Sequence, residues 1–203
     1  MKYFSLLKGL LFFACLIPLL RLAWFGYASQ LGANPIEFIT RSLGTWTLVF
    51  LLLTLSITPL RQLSGWSWLA RLRRMAGLYA FFYALLHFIT YVWLDQFFDL
   101  PAIYKDVLKR PFITAGFAAF ILLIPLAITS TNAMMKRLGG RRWQWLHRLD
   151  YVIAMLAVLH YWWLVKKDIT QPLIYAAILA TLLGYRVWNG LFKRWIRGRS
   201  NAK

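Results

Sequence analysis

Histidine has the widest chemistry of any side chain near neutral pH: it ligates metals through one ring nitrogen, relays protons, or hydrogen-bonds between helices. The chain has three. His87 and His160 lie within long apolar runs, and His147 opens the run that contains His160. An ionisable group at such a place is costly and has either a functional or a paired role. The sulfur chemistry is narrower. Cys15 is the single cysteine, which excludes an internal disulfide, a thiolate zinc site and covalent haem attachment through two cysteines.

The elements that carry these residues belong to a membrane. Of 203 residues 61% are hydrophobic and 15% charged, against about 25% charged in a soluble domain. The net charge of +18 would suit nucleic acid only on a water-facing polar fold. Here the cations come in short clusters between apolar runs, so no nucleic-acid partner is expected. Six runs meet the roughly 20-residue span requirement: about 5–27, 43–60, 75–94, 112–129, 147–165 and 172–191. Pro59, Pro101, Pro111 and Pro172 stand at or just outside run ends, while Pro18 and Pro125 fall inside and bend their spans. The first run is longer than a signal-peptide core and lacks a clear Ala-x-Ala site, so it reads as a retained helix. The fold class expected is all-α, one bundle of six transmembrane helices forming a single domain over 1–203.

Loop charge sets the orientation. The N-terminus, the loops 61–74 and 130–148, and the C-terminal end hold 17 basic residues, from Lys2 and Lys8 through Arg61, Arg71, Arg73, Arg74, Lys136, Arg137, Arg141, Arg142 and Arg148 to Arg186, Lys193, Arg194, Arg197, Arg199 and Lys203. The other loops hold six: Arg41, Lys105, Lys109, Arg110, Lys166 and Lys167. Basic loops stay in the cytoplasm, which places both termini there. Attraction to anionic lipid is a secondary expectation.

Spans three and five then run the same way. His87 lies 12 residues beyond Met75 and His160 lies 13 beyond His147, so both imidazoles sit about 18–20 Å above the cytoplasmic ends of their helices. Two imidazoles at one level on two parallel helices are what a six-coordinate b-type haem requires. His147 sits about 19 Å lower, turned about 140° from His160 on an ideal helix. The matching position on span three is Arg74, which stays protonated and pairs with a propionate or phosphate instead of iron. His87 and His160 are therefore the candidate ligands, with His147 either a ligand of an inner haem or a cap at the interface. Arg73 and Arg74 anchor the cytoplasmic side, and one of them steadies an anionic cofactor group.

Other residues carry duller readings. Arg21 either snorkels to the outer interface or pairs with a propionate. Asp150 either orients His147 or pairs with a loop arginine such as Arg148. Tryptophans 66, 68, 143, 145, 188 and 195 on one side and 93, 162 and 163 on the other form an aromatic belt. The Thr129-Ser130-Thr131 run ends span four. A transporter would line an ion path with the histidines and Arg21, but the chain has no inverted repeat.

In order and spacing the chain resembles the MsrQ (YedZ) family. The matching residues include Leu31-Gly32-Ala33-Asn34-Pro35, Ile57-Thr58-Pro59-Leu60, Arg73-Arg74, Leu86-His87 and Arg110-Pro111. They continue through Thr129-Ser130-Thr131-Asn132-Ala133-Met134, Trp143-Gln144-Trp145-Leu146-His147, His160-Tyr161 and Gln171-Pro172-Leu173-Ile174-Tyr175-Ala176. This family is similar to the ferric-reductase-like transmembrane group, in which histidine pairs on spans three and five hold two stacked haems. Arg74 departs from that pattern at the inner level. The resemblance implies a haem b subunit of the bacterial inner membrane, with FMN also assigned. Electrons would pass from the quinone pool, or a cytosolic flavin reductase, to a periplasmic molybdopterin methionine sulfoxide reductase that repairs oxidised envelope proteins. Within the redox class, ferric or oxygen reduction is the alternative.

Overall fold

The computed structural model describes residues 2–165 and 167–200, without the side chains of residues 2, 3 and 192–200. Lys166 and Lys203, and the side chains of Lys2, Lys193, Arg194, Trp195, Arg197 and Arg199, therefore lie outside the described residues. Every regular element among the described residues is helical: α1 (Lys2–Ala14), α2 (Ile17–Tyr27), α3 (Pro35–Ser64), α4 (Arg73–Thr90), α5 (Leu100–Lys109), α6 (Pro111–Ile128), α7 (Asn132–Leu138), α8 (Gly140–Leu146), α9 (Leu149–Leu164) and α10 (Thr170–Ser200). A 3-10 turn (Ser67–Arg71) precedes α4 and a π-helical turn (Tyr91–Asp95) extends it. Among the described residues, four stretches are long and apolar enough to cross a membrane: Phe4–Tyr27, Pro35–Ser64, Ser67–Asp95 and Pro111–Ile128. α9 is shorter, at 16 residues.

Local chemistry moves several boundaries from their expected places. The second stretch begins at Pro35, not near residue 43, because Asn34 caps it by accepting the Glu37 N–H at 3.2 Å. It ends where Gly65 takes φ +73°, a left-handed cap. Pro59 thus sits inside α3 and not at its end. The first run breaks at Cys15–Leu16, ahead of Pro18. At the break the Leu16 N–H turns to the Phe13 carbonyl, and the Tyr79 hydroxyl donates to the Phe12 carbonyl at 2.7 Å. Four residues on, the Tyr83 hydroxyl donates to the Cys15 carbonyl at 2.8 Å. The segments 95–111 and 130–148, read as loops, contain the short helices α5, α7 and α8. Asp99 and Thr131 cap α5 and α7 through side-chain oxygens.

Helices α3, α4, α6 and α9 form the centre, with α3 against α4, α6 against α9, and both cross-contacts made. Leu43, Phe50, Leu51, Tyr79, Ala80, Tyr83, Ala84, Ala119, Leu123 and Ile153 fill it. Small residues on α4 and α6 allow close approach where no hydrophobic drive separates helix from lipid. α10 lies outside, on α3 and α9.

Arg186, counted with the cytoplasmic charges by sequence, sits inside this seam. Its guanidinium donates to the Leu55 carbonyl at 2.6 Å and to the Tyr151 hydroxyl at 2.6 Å. It lies 4.9 Å from the centre of the Tyr151 ring, and its Nε is buried with no partner among the described residues. Leu55 precedes Pro59 by four residues, so its carbonyl has no helical donor. Arg186 supplies one from another helix.

Candidate functional site

His87 and His160 meet. The His87 and His160 ring centres lie 6.1 Å apart, with planes crossing at 79°. Each ring is tied to the long apolar helix that precedes its own, α3 for His87 on α4 and α6 for His160 on α9. His87 Nδ1 is 2.8 Å from the Thr40 carbonyl at the start of α3, and His160 Nδ1 is 2.6 Å from the Phe112 carbonyl at the start of α6. A carbonyl only accepts, so each Nδ1 carries the proton. Each Nε2 is left with a free lone pair, the form in which imidazole binds a metal.

These residues fit a haem iron on two counts. With a metal–imidazole bond of about 2.0 Å and about 1.1 Å from ring centre to nitrogen, two collinear axial imidazoles have centres about 6.2 Å apart. The ligand nitrogens are also of the right kind, with their second ring nitrogens hydrogen-bonded to backbone carbonyls as in ordinary metal sites. Among the described residues, no group of three or more His, Cys, Asp or Glu gathers to hold a metal. A porphyrin supplies four nitrogens itself, so a pair of imidazoles suffices.

His147 is not brought to this pair. It ends α8, stacked on Trp143 with ring centres 3.9 Å apart. Its Nε2 is 3.1 Å from the Thr129 hydroxyl oxygen, which itself donates to the Pro125 carbonyl at 2.6 Å. The Thr129 oxygen therefore accepts from His147 Nε2–H. The Trp143 indole donates to the Thr129 carbonyl at 2.9 Å. Thr129, read only as the end of span four, is the acceptor that orients this histidine.

Arg73 and Arg74 lie near enough for their charges to act on His147. Arg74 donates to the Asn132 side chain at 2.6 Å. It also lines a cleft of about 760 Å³ between α1 and α4, with Lys8, Arg71, Phe12, Leu78, Tyr79 and Phe82 among the other walls. Asp150 is buried at 6% exposure. Among the described residues it has no ion pair with Arg148 and no hydrogen bond to His147. Arg21 is exposed and extends over the Phe25 ring at 4.9 Å, one turn nearer the end of α2.

Two glycines in the site carried no weight in the sequence. A Cβ on Gly44 would stand 3.1 Å from the His87 ring, and one on Gly116 would stand 2.7 Å from the His160 ring. Their one sequence signal is a lone glycine within an otherwise apolar helix.

A four-helix centre brings two imidazoles with matching tautomers together inside a bundle of apolar helices, and residues 42–158 match the family "Ferric reductase like transmembrane component". Three relatives are each named protein-methionine-sulfoxide reductase heme-binding subunit MsrQ. The one from Herminiimonas arsenicoxydans is 64% identical, covering 94% of this chain and 88% of that protein. The one from Ralstonia nicotianae is 60% identical over 85% and 81%, and the one from Bordetella pertussis 54% over 97% and 94%. The chain belongs to the MsrQ family of ferric-reductase-like transmembrane proteins. It is a multi-pass membrane protein.

Proposed function

We propose that this chain is the haem b subunit of a protein-methionine-sulfoxide reductase system. In this reading it takes electrons from the quinone pool and delivers them across the bacterial inner membrane to a periplasmic molybdopterin partner, which repairs oxidised envelope proteins. It is a single domain over 1–203 with six spans and cytoplasmic termini. The observation that carries the reading is the His87–His160 pair at 6.1 Å with both Nδ1 atoms engaged. The names of the relatives support it.

His87 and His160 would hold the haem, which would supply a one-electron centre toward the outer side of the membrane. The chain's own part is to hold both imidazoles neutral and aimed, and to keep water away with the surrounding aromatic core. His147 is a structural residue of the cytoplasmic end, so one haem per chain is expected. FMN, implied by resemblance, finds its best match in the cleft between α1 and α4. There Lys8, Arg71 and Arg74 suit a phosphate and Phe12, Tyr79 and Phe82 suit a flat ring. The alternative electron source is a cytosolic flavin reductase.

The test is a reduced-minus-oxidised spectrum of the detergent-purified protein with a pyridine haemochrome assay. One b-type haem per chain is expected, lost in His87→Ala and His160→Ala and largely kept in His147→Ala. Full haem retention in both of the first two variants would refute the ligand assignment. Reoxidation of the quinol-reduced protein by the periplasmic partner, and not by ferric chelate or oxygen alone, identifies the acceptor.

A further inference from the structure

The two histidine sites are built alike. In each, a carbonyl near the start of one helix accepts from Nδ1, and a glycine four residues later lies under the same imidazole. Thr40 and Gly44 on α3 serve His87, and Phe112 and Gly116 on α6 serve His160. Neither glycine adopts a positive φ, so neither is needed for backbone conformation. Glycine inside a helix is less stable than alanine, and what these two provide is room. A Cβ at Gly116 would lie 2.7 Å from Nδ1 and 3.0 Å from Cε1 of His160; one at Gly44 would lie 3.1 Å from Cε1 and 3.2 Å from Nδ1 of His87. In both cases the crowded atom is the one hydrogen-bonded to the carbonyl, or its neighbour. An added methyl group therefore acts on the ring's rotation and tautomer before it acts on helix packing.

We propose that Gly44 and Gly116 are positioning residues for the axial imidazoles, and that together with the Thr40 and Phe112 carbonyls they fix the two ring planes close to perpendicular. This rests on the haem reading above. The ring orientations are set separately, one by the α3–α4 pair and one by the α6–α9 pair, and the 79° crossing angle is the result. Ligand-plane orientation governs which iron d orbitals the imidazoles overlap. Crossed planes leave the ferric ion nearly degenerate and highly anisotropic, whereas parallel planes give a rhombic low-spin ion. The glycines thus tune the metal through its ligands, as outer residues do in other metal sites.

The experiment is low-temperature EPR of the oxidised, haem-loaded protein, together with its reduction potential. The unmodified protein should give a highly anisotropic low-spin signal with one dominant low-field feature. Gly116→Ala should shift that feature toward a rhombic or a high-spin signal, and Gly44→Ala should shift it the same way by less, in line with 2.7 against 3.1 Å. Gly77→Ala is the control: its added methyl meets only the Thr54 side chain, at 3.8 Å, and the signal should not move. Wild-type signals and potentials in both cradle variants would overturn the proposal, as would a rhombic signal in the unmodified protein. If Gly116→Ala fails to fold, the milder Gly44→Ala decides. A protein that binds no haem at all refutes the underlying reading instead.

Discussion

Arg186 should be worth much less when Pro59 is removed. Replacing Arg186 with methionine deletes the bonds to the Leu55 carbonyl and the Tyr151 hydroxyl, both 2.6 Å. Interhelical bonds in membrane proteins average about 0.6 kcal/mol and reach about 1.7. A carbonyl left without a donor costs about 1–3 kcal/mol, and Leu55 is 0% exposed. Against these stands some relief, because the unpartnered Nε is no longer buried. The net loss should be about 2 kcal/mol. In a Pro59→Ala background residue 59 regains an N–H, and the ordinary i→i−4 bond to Leu55 can form. There Arg186→Met should cost about 1 kcal/mol, giving a coupling of about 1 kcal/mol. Arg186→Lys should fall between, since one ammonium cannot span both acceptors in the guanidinium's fork geometry. Reversible unfolding in mixed dodecylmaltoside and SDS micelles, followed by helical circular dichroism, measures all of these. Equal costs of Arg186→Met in the two backgrounds would refute the idea that the arginine serves the proline-freed carbonyl.

Other substitutions probe other joints. Tyr83→Phe leaves the Cys15 carbonyl without the Tyr83 hydroxyl but keeps the stack on Phe50, 5.3 Å between centres. It should lower stability by about 1 kcal/mol and loosen span one to proteolysis without changing haem content; loss of haem would contradict that division of roles. Thr129→Val removes the acceptor of His147 and should leave the outer haem spectrum intact while lowering the thermal midpoint, as read by circular dichroism. Asp106→Asn breaks the 3.3 Å pair with Arg110 and weakens the contact with the Tyr91 hydroxyl. Hydrogen exchange across 96–110 should rise, with exchange in α6 beyond its first turn unchanged.

The histidine pair was legible because it depends on two simple quantities, rise per residue and span direction, and counting residues suffices for both. His87 and His160 meet, as counting along their helices suggested. What supports them was not legible. Gly44 and Gly116 act by lacking atoms, and a lone glycine in an apolar run gives no hint of the ring that will lie against it. Arg186 misled for the opposite reason: near a basic chain end it looked like one more topology charge, while its use depends on Pro59, 127 positions earlier. Likewise α5, α7 and α8 are short helices whose caps, Asp99 and Thr131 among them, are evident only once the neighbouring span ends are fixed. The start of α3 was readable in principle, since Asn34-Pro35 ahead of Glu37 is a helix-start signal; hydropathy alone missed it because the first turns are polar.

The arrangement of the two cradles bears on how the polypeptide can be divided. Each histidine's Nδ1 bonds to the span that immediately precedes its own, so the carbonyl and glycine beside His87 are made before Asp95, and those beside His160 are made after Pro111. The connection between them is the short exposed stretch that includes α5, anchored mainly by Asp106. A chain severed there would still keep each histidine with the carbonyl and glycine beside its ring, while the core shared by the two halves would have to form between separate pieces. Produced as separate polypeptides in one cell, they would have to find each other in the membrane, and in the haem reading proposed above the cofactor would act as the clasp between them.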